Sequence, residues 1–83
     1  MPMAADLDEI KAMIEWTLPG SEVVVLDETG TGDHLRAVVR APQFEGIGRL
    51  QQHRLVKAAV RDRFEDGTIH ALSVTTLRPD DPA

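Results

Sequence analysis

Two short segments rich in β-branched residues, one on each side of a glycine-containing turn, most limit how this chain can fold. Glu22–Asp27 and His34–Arg40 have the length and composition of strands, and Gly30 and Gly32 lie in the turn between them. Every second residue of the later segment is apolar, which predicts one buried face formed by Leu35, Ala37 and Val39. The pair is predicted to form an antiparallel hairpin.

Helical periodicity lies on both sides of this hairpin. Asp6–Leu18 places its apolar residues on one stripe, with Asp6 as the predicted N-cap and Glu9 completing a capping box. Arg49–Phe64 repeats the pattern, and its predicted buried stripe consists of Val56, Ala59, Val60 and Phe64. We therefore expect two helices, the second one long and continuous.

Ile69–Leu77 is predicted to be a third strand, which completes the order α-β-β-α-β. The passage from the second strand through the long helix to the third is a β-α-β unit, so if these two strands are neighbours they run parallel with a right-handed crossover. The predicted fold is α/β of the α+β type, a three-stranded mixed sheet with both helices on one face. We expect a single domain over 1–83 with an ordered core over about 6–79, and a frayed tail at Asp80–Ala83.

The predicted parallel pairing brings two histidines to one edge of the sheet. His34 begins the second strand and His70 begins the third, so the two imidazoles should lie near each other. Histidine is a frequent ligand of iron and zinc, but two imidazoles cannot complete a tetrahedral site and the chain has no cysteine. Any metal would therefore be shared with another molecule. The alternative is structural: His34 only follows a turn, and His70 satisfies local hydrogen bonds.

The second predicted helix also carries basic residues and a third histidine. A stripe of Arg54, Lys57 and Arg61, with Arg49 at the helix start, would suit phosphate contacts or an ordinary solvated face. A net charge of −5 and the scarcity of aromatic residues count against nucleic-acid binding. We expect His53 to be a half-buried structural residue.

The sequence contains no arrangement typical of an enzyme. It has no Ser/His/Asp order, phosphate-binding loop or dinucleotide fingerprint, and a chain of 83 residues leaves little room for a cleft of about 300 Å³. We predict a non-catalytic protein. No membrane span or signal peptide is recognisable, so we expect a cytoplasmic location without membrane association.

Several motifs in a fixed order resemble the BolA-like protein family, over about Leu7 to Pro79. The resemblance rests on five segments: Leu18-Pro19-Gly20 before Val23-Val24-Val25, the acidic loop Asp27 to Asp33 ending at His34, Phe44-Glu45-Gly46, Gln52-His53-Arg54-Leu55-Val56, and Gly67-Thr68-Ile69-His70-Ala71-Leu72-Ser73-Val74. The last segment is the most specific of the five.

This resemblance implies a fold similar to a type II KH domain and a role in iron–sulfur biology. Family members pair with monothiol, CGFS-type glutaredoxins and share a 2Fe–2S cluster, for which the glutaredoxin and glutathione supply thiolates. By resemblance His70 is the principal ligand of the cluster and His34 is the second. The histidine at position 34 also implies that the chain belongs to the histidine-loop subgroup of the family. The implied role is cluster transfer or iron sensing. No cofactor is expected in the isolated chain, which should be a monomer or a weak homodimer.

The family also includes members assigned to DNA binding and transcription regulation, and this is the alternative function. Here the sequence departs from the family pattern, because Ile47 and Gly48 stand where a lysine and a serine are frequent, and Gln52 where an arginine is. These departures remove positive charge from the region where phosphate contact is expected. The residues that would still support DNA binding are Arg49, Arg54, Lys57 and Arg61.

Overall fold

A computed structural model describes residues 6–82 of the chain. The elements follow the predicted order, with one helix interrupted: α1 (Leu7–Thr17), β1 (Glu22–Asp27), β2 (His34–Arg40), a 3-10 turn (Pro42–Phe44), α2 (Arg49–Ala59), α3 (Arg61–Glu65) and β3 (Ala71–Leu77). Both strands of the hairpin have the predicted bounds. The α+β class is confirmed.

The three strands form one mixed sheet in the order β1-β2-β3. β1 and β2 are antiparallel, with Val24 opposite Val38, whereas β2 and β3 are parallel, with His34 opposite Ala71. Both pairings were predicted. The central strand β2 therefore pairs with both other strands, and its register determines how the third strand lies relative to the hairpin.

The hydrophobic core lies between the helices and one face of this sheet. The predicted inward residues of β2 are all buried, and α1 contributes Ile10 and Ile14, both fully buried. The remaining core residues come from the other elements and their connections: Leu18, Val23, Ala41, Phe44, Val56, Val60, Ile69 and Leu72. On β1 the opposite face of the sheet leaves Val24 and Leu26 about half exposed.

The predicted N-cap of α1 is confirmed, but the reciprocal half of the capping box is not formed. The Asp6 carboxylate accepts the N–H groups of Asp8 at 3.0 Å and Glu9 at 3.3 Å. The Glu9 carboxylate instead accepts a hydrogen bond from Arg63 Nε at 2.7 Å. A tertiary ion pair therefore replaces the local interaction that the sequence pattern predicted.

The prediction of one continuous helix over Arg49–Phe64 is wrong, because the helix breaks at Val60. This residue has φ −116° and ψ 18°, and its N–H donates to the Lys57 carbonyl as in a tighter turn. Val60 is β-branched, which lowers its helix propensity, and it is fully buried at the break. The apolar spacing continues across the break, so periodicity alone does not reveal it.

The last strand begins two residues later than predicted. Ile69 N–H donates to the Arg63 carbonyl, and His70 N–H donates to the Asp33 carbonyl, so both residues bond outside the regular ladder of β3. His70 therefore lies directly before the strand instead of within it.

The tail, which is predicted to fray, makes several hydrogen bonds in the residues that the structure describes, and Ala83 lies outside them. The Arg40 guanidinium donates to the carbonyls of Arg78, Pro79 and Asp81, and the Asp81 carboxylate accepts the Arg78 N–H at 2.9 Å. These bonds fold the segment after β3 back onto the sheet. Over residues 6–82 the structure contains no helix with the length and apolarity needed to cross a bilayer.

Candidate metal centre

The parallel pairing of β2 with β3 brings His34 and His70 together, as predicted. The centroids of the two imidazole rings are 6.2 Å apart, and the ring planes meet at 82° in an edge-to-face arrangement. The side chains are 47% and 61% exposed. Two histidines that are distant in the sequence therefore form one pair that a second molecule can reach.

A single carboxylate connects the two rings. Asp33 Oδ1 lies 2.9 Å from His34 Nδ1, and Asp33 Oδ2 lies 2.9 Å from His70 Nδ1. Asp33 was not among the site residues predicted from the sequence. The sequence signal that could have identified Asp33 is its position directly before His34. Its contact with His70 depends on the register between the two strands.

The electrostatics of the pair favour an ionised Asp33. The Thr31 hydroxyl donates to this carboxylate, and together with the His34 ring it lowers the pKa of Asp33 from the ordinary 3.8 to about 2. An ionised carboxylate only accepts hydrogen bonds. Across residues 6–82 the Nε2 atoms of His34 and His70 have no hydrogen-bond partner, so they are the ring atoms available to an external ligand.

The loop before His34 is held in place by another carboxylate. Asp27 accepts the N–H groups of Thr29 at 3.3 Å, Gly30 at 2.9 Å and Gly32 at 2.9 Å. Gly30 and Gly32 both have φ of +78°, a conformation that suits glycine because it has no Cβ. The loop therefore reaches His34 in a defined conformation, which determines where the imidazole pair lies.

The donor set is compatible with part of a metal centre but not with a complete one. Within the described part of the chain, no group of three or more His, Asp, Glu or Cys side chains is arranged to hold an ion. In Rieske-type 2Fe–2S centres two histidines replace two cysteines on one iron, so exposed imidazoles fit that chemistry if another molecule supplies the thiolates.

The basic residues of the predicted stripe are exposed but do not share one helix. Arg54 and Lys57 lie on α2 with Arg49 at its first position, whereas the break at Val60 places Arg61 on α3. Arg61 Nε lies 3.7 Å from a carboxylate oxygen of Glu65. His53 is half-buried, as expected. The continuous stripe expected from the sequence is therefore divided between two helices.

Comparisons with known proteins agree on one family. The sequence model of the BolA-like protein family matches residues 19–81. Protein RP812 of Rickettsia prowazekii is 28% identical over 75 residues, covering 90% of this chain and 96% of that protein. Human BolA-like protein 1 is 40% identical over 50 residues, but the match covers 60% of this chain and only 36% of the human protein.

One solved structure is similar to this chain in both fold and sequence. The structure of a bolA protein homologue from Coxiella burnetii superimposes with a TM-score of 0.77 and 39% sequence identity. The match covers 92% of this chain and 94% of the Coxiella chain. The sheet and helices described above are therefore similar to those of a solved relative over almost their whole length.

Proposed function

The chain belongs to the BolA-like protein family, and on that premise we propose that it supplies histidine ligation to a 2Fe–2S cluster shared with a partner. The proposed partner is a monothiol, CGFS-type glutaredoxin carrying glutathione, and the proposed role is cluster transfer or iron sensing in the cytoplasm. The chain itself acts as a binding protein without catalytic activity.

The observation that carries this proposal is the exposed pair of His34 and His70. His34 Nδ1 is hydrogen-bonded to Asp33 and His70 Nδ1 lies 2.9 Å from the same carboxylate, which leaves the Nε2 atoms available to other ligands. When bound, the cluster would supply the redox-active and transferable iron. Neutral imidazole is a more labile ligand than thiolate, and mixed His/Cys ligation raises the potential of a cluster relative to all-cysteine ligation. A shared, histidine-ligated cluster would thus suit transfer.

The proposal is tested by reconstituting the complex. The purified chain is mixed with a CGFS-type glutaredoxin, glutathione, ferrous iron and sulfide, and the visible absorption and circular dichroism are recorded. We expect a spectrum that differs from that of the glutaredoxin alone, which His70→Ala abolishes and His34→Ala weakens. His53→Ala is the matched control, because His53 lies on α2 and is not part of the pair.

A His70→Ala variant that retains the full spectrum of the complex would rule out ligation by that residue. Omitting iron and sulfide separates a cluster-bridged complex from direct protein association, since only the former requires the metal. Size-exclusion chromatography of the same samples measures whether the free chain is a monomer or a weak homodimer, as we expect.

DNA binding is measured on the same protein. If Arg49, Arg54, Lys57 and Arg61 contact phosphates, affinity for duplex DNA should fall steeply as the salt concentration rises. Binding at low salt that is no tighter than that of a neutral control protein would exclude this alternative.

A further inference from the structure

We propose that Asp33 is a positioning residue that fixes His34 and His70 in the same tautomer and directs both Nε2 atoms outward before a partner arrives. The consequence for ligation rests on the proposed function. The tautomers, in contrast, are a property of the metal-free chain and can be measured without any cluster.

The Asp33 carboxylate is shared between the two imidazole rings. One oxygen of Asp33 lies 2.9 Å from His34 Nδ1 and the other lies 2.9 Å from His70 Nδ1. A carboxylate has no proton to give at neutral pH, so His34 Nδ1 must be the donor in its hydrogen bond to Asp33. His70 Nδ1 lies at ion-pair distance without hydrogen-bond geometry, and a lone pair on it would face the negative Oδ2, which favours a proton on this nitrogen as well. In a neutral imidazole the proton on Nδ1 leaves the lone pair on Nε2. One aspartate thereby selects the same tautomer in two histidines.

Asp33 is itself held in place by further hydrogen bonds. Its backbone carbonyl accepts the His70 N–H at 2.9 Å and the Ala71 N–H at 3.2 Å, which ties it to the start of β3. The Thr31 hydroxyl donates to its side chain from within the loop. Asp33 therefore contacts His70 through both its backbone and its side chain, so the distance between the rings does not depend on the side chains alone.

A carboxylate partner changes the properties of a ligating imidazole ring. A hydrogen bond from Nδ1 to a carboxylate orients the imidazole and increases the basicity of Nε2, and loss of such a partner typically weakens metal binding by about 10- to 100-fold. Nε2 is therefore the ligating atom of both histidines. In this way two exposed side chains present defined donors.

Asp33→Asn is the test variant, because it keeps the shape of the side chain but changes its bonding. A carboxamide has one acceptor oxygen and one NH₂ donor, so it can accept from only one Nδ1–H in the original arrangement. The matched control is Glu28→Gln, which removes the same charge in the same loop. The Glu28 carboxylate pairs with Arg36 at 3.2 Å and is not among the partners of either imidazole.

The first readout is the tautomer of each histidine in the metal-free chain, from long-range ¹H–¹⁵N NMR spectra at about pH 8, where ordinary imidazoles are neutral. We expect the wild type and Glu28→Gln to carry the proton on Nδ1 of both His34 and His70. In Asp33→Asn at least one ring should lose this preference, while the His53 signals stay unchanged. A wild type with either ring protonated on Nε2 would overturn the inference.

The second readout is the lifetime of the cluster in the complex with the glutaredoxin, measured by the decay of visible circular dichroism after addition of a chelator. We expect decay about 10-fold faster or more for Asp33→Asn than for Glu28→Gln. Equal decay rates for the two variants would overturn the role of Asp33 in ligation. A wild type that forms no cluster complex would instead defeat the proposed function, and the NMR spectra would still decide the tautomers.

Discussion

Gln52 and Thr76 are buried polar side chains that satisfy each other across the core. The Thr76 hydroxyl donates to Gln52 Oε1 at 2.6 Å, and both residues are only 4% exposed. Gln52 Nε2 also donates to the carbonyls of Ile47 at 3.0 Å and Phe44 at 3.3 Å. One glutamine on α2 therefore connects β3 to the segment between β2 and α2.

Thr76→Val should destabilise the fold, because it leaves the buried Gln52 oxygen without a donor. We expect the free energy of unfolding to fall by about 1–3 kcal/mol, measured by urea denaturation. Thr75→Val in the same strand is the control, since Thr75 is half-buried and its hydroxyl has only a long contact, 3.5 Å, with Arg36. Equal losses in the two variants would contradict this account of the buried pair.

Phe44→Ala should have a larger effect, because Phe44 lies in the 3-10 turn and is a completely buried residue of the core. Removing its ring should lower the free energy of unfolding by about 3–5 kcal/mol. Leu50→Ala is the comparison, because Leu50 is 64% exposed and should change stability by less than about 0.5 kcal/mol. Thermal denaturation followed by circular dichroism measures both. A smaller loss for Phe44→Ala than for Leu50→Ala would refute the assignment of the core.

Asp27→Ala should loosen the loop before His34 without unfolding the sheet. The variant removes the acceptor for three loop N–H groups, so the amides of Thr29, Gly30 and Gly32 should exchange with solvent faster. The amide of Ala37, at the centre of β2, is the internal control. Unchanged exchange in the loop would show that Asp27 does not hold it.

Acid should destabilise the fold through carboxylates whose pKa is lower when folded. The pKa of Asp66 is lowered mainly by the Thr68 hydroxyl and N–H, and that of Asp33 falls from 3.8 to about 2. Each group therefore stabilises the fold above about pH 4, and this contribution is lost as pH falls through the folded pKa. The free energy of unfolding of Asp66→Asn should decline less steeply than that of the wild type between about pH 4 and pH 2. Identical slopes would contradict the effect of Asp66.

Much of the fold could be predicted because the signals were local. The bounds of β1 and β2 and the inward residues of β2 follow from alternation along single segments. The parallel pairing followed from the order of elements, and it predicted correctly that His34 and His70 would meet. The subgroup assignment, the cluster and the partner stay predictions.

Other features depend on contacts that no local pattern contains. The break at Val60 preserves the apolar spacing of a continuous helix, so the sequence could not distinguish the two. In the sequence, Gln52 resembles an ordinary exposed polar residue of a helix. Only its contact with Thr76 in the tertiary structure makes it a core residue. In each case the deciding partner lies on another element.

The histidine pair shows which features follow from the sequence and which depend on the tertiary structure. The sequence by itself determined that two imidazoles would stand at one edge of the sheet, because the order of the elements predicts parallel pairing of β2 with β3 and each histidine stands at the start of its strand. Only the tertiary structure decided that Asp33 lies between them with one oxygen for each ring. Contacts of 2.9 Å from one carboxylate to both rings need precise placement, which comes from the register of β2 on β3 and the conformation of the loop.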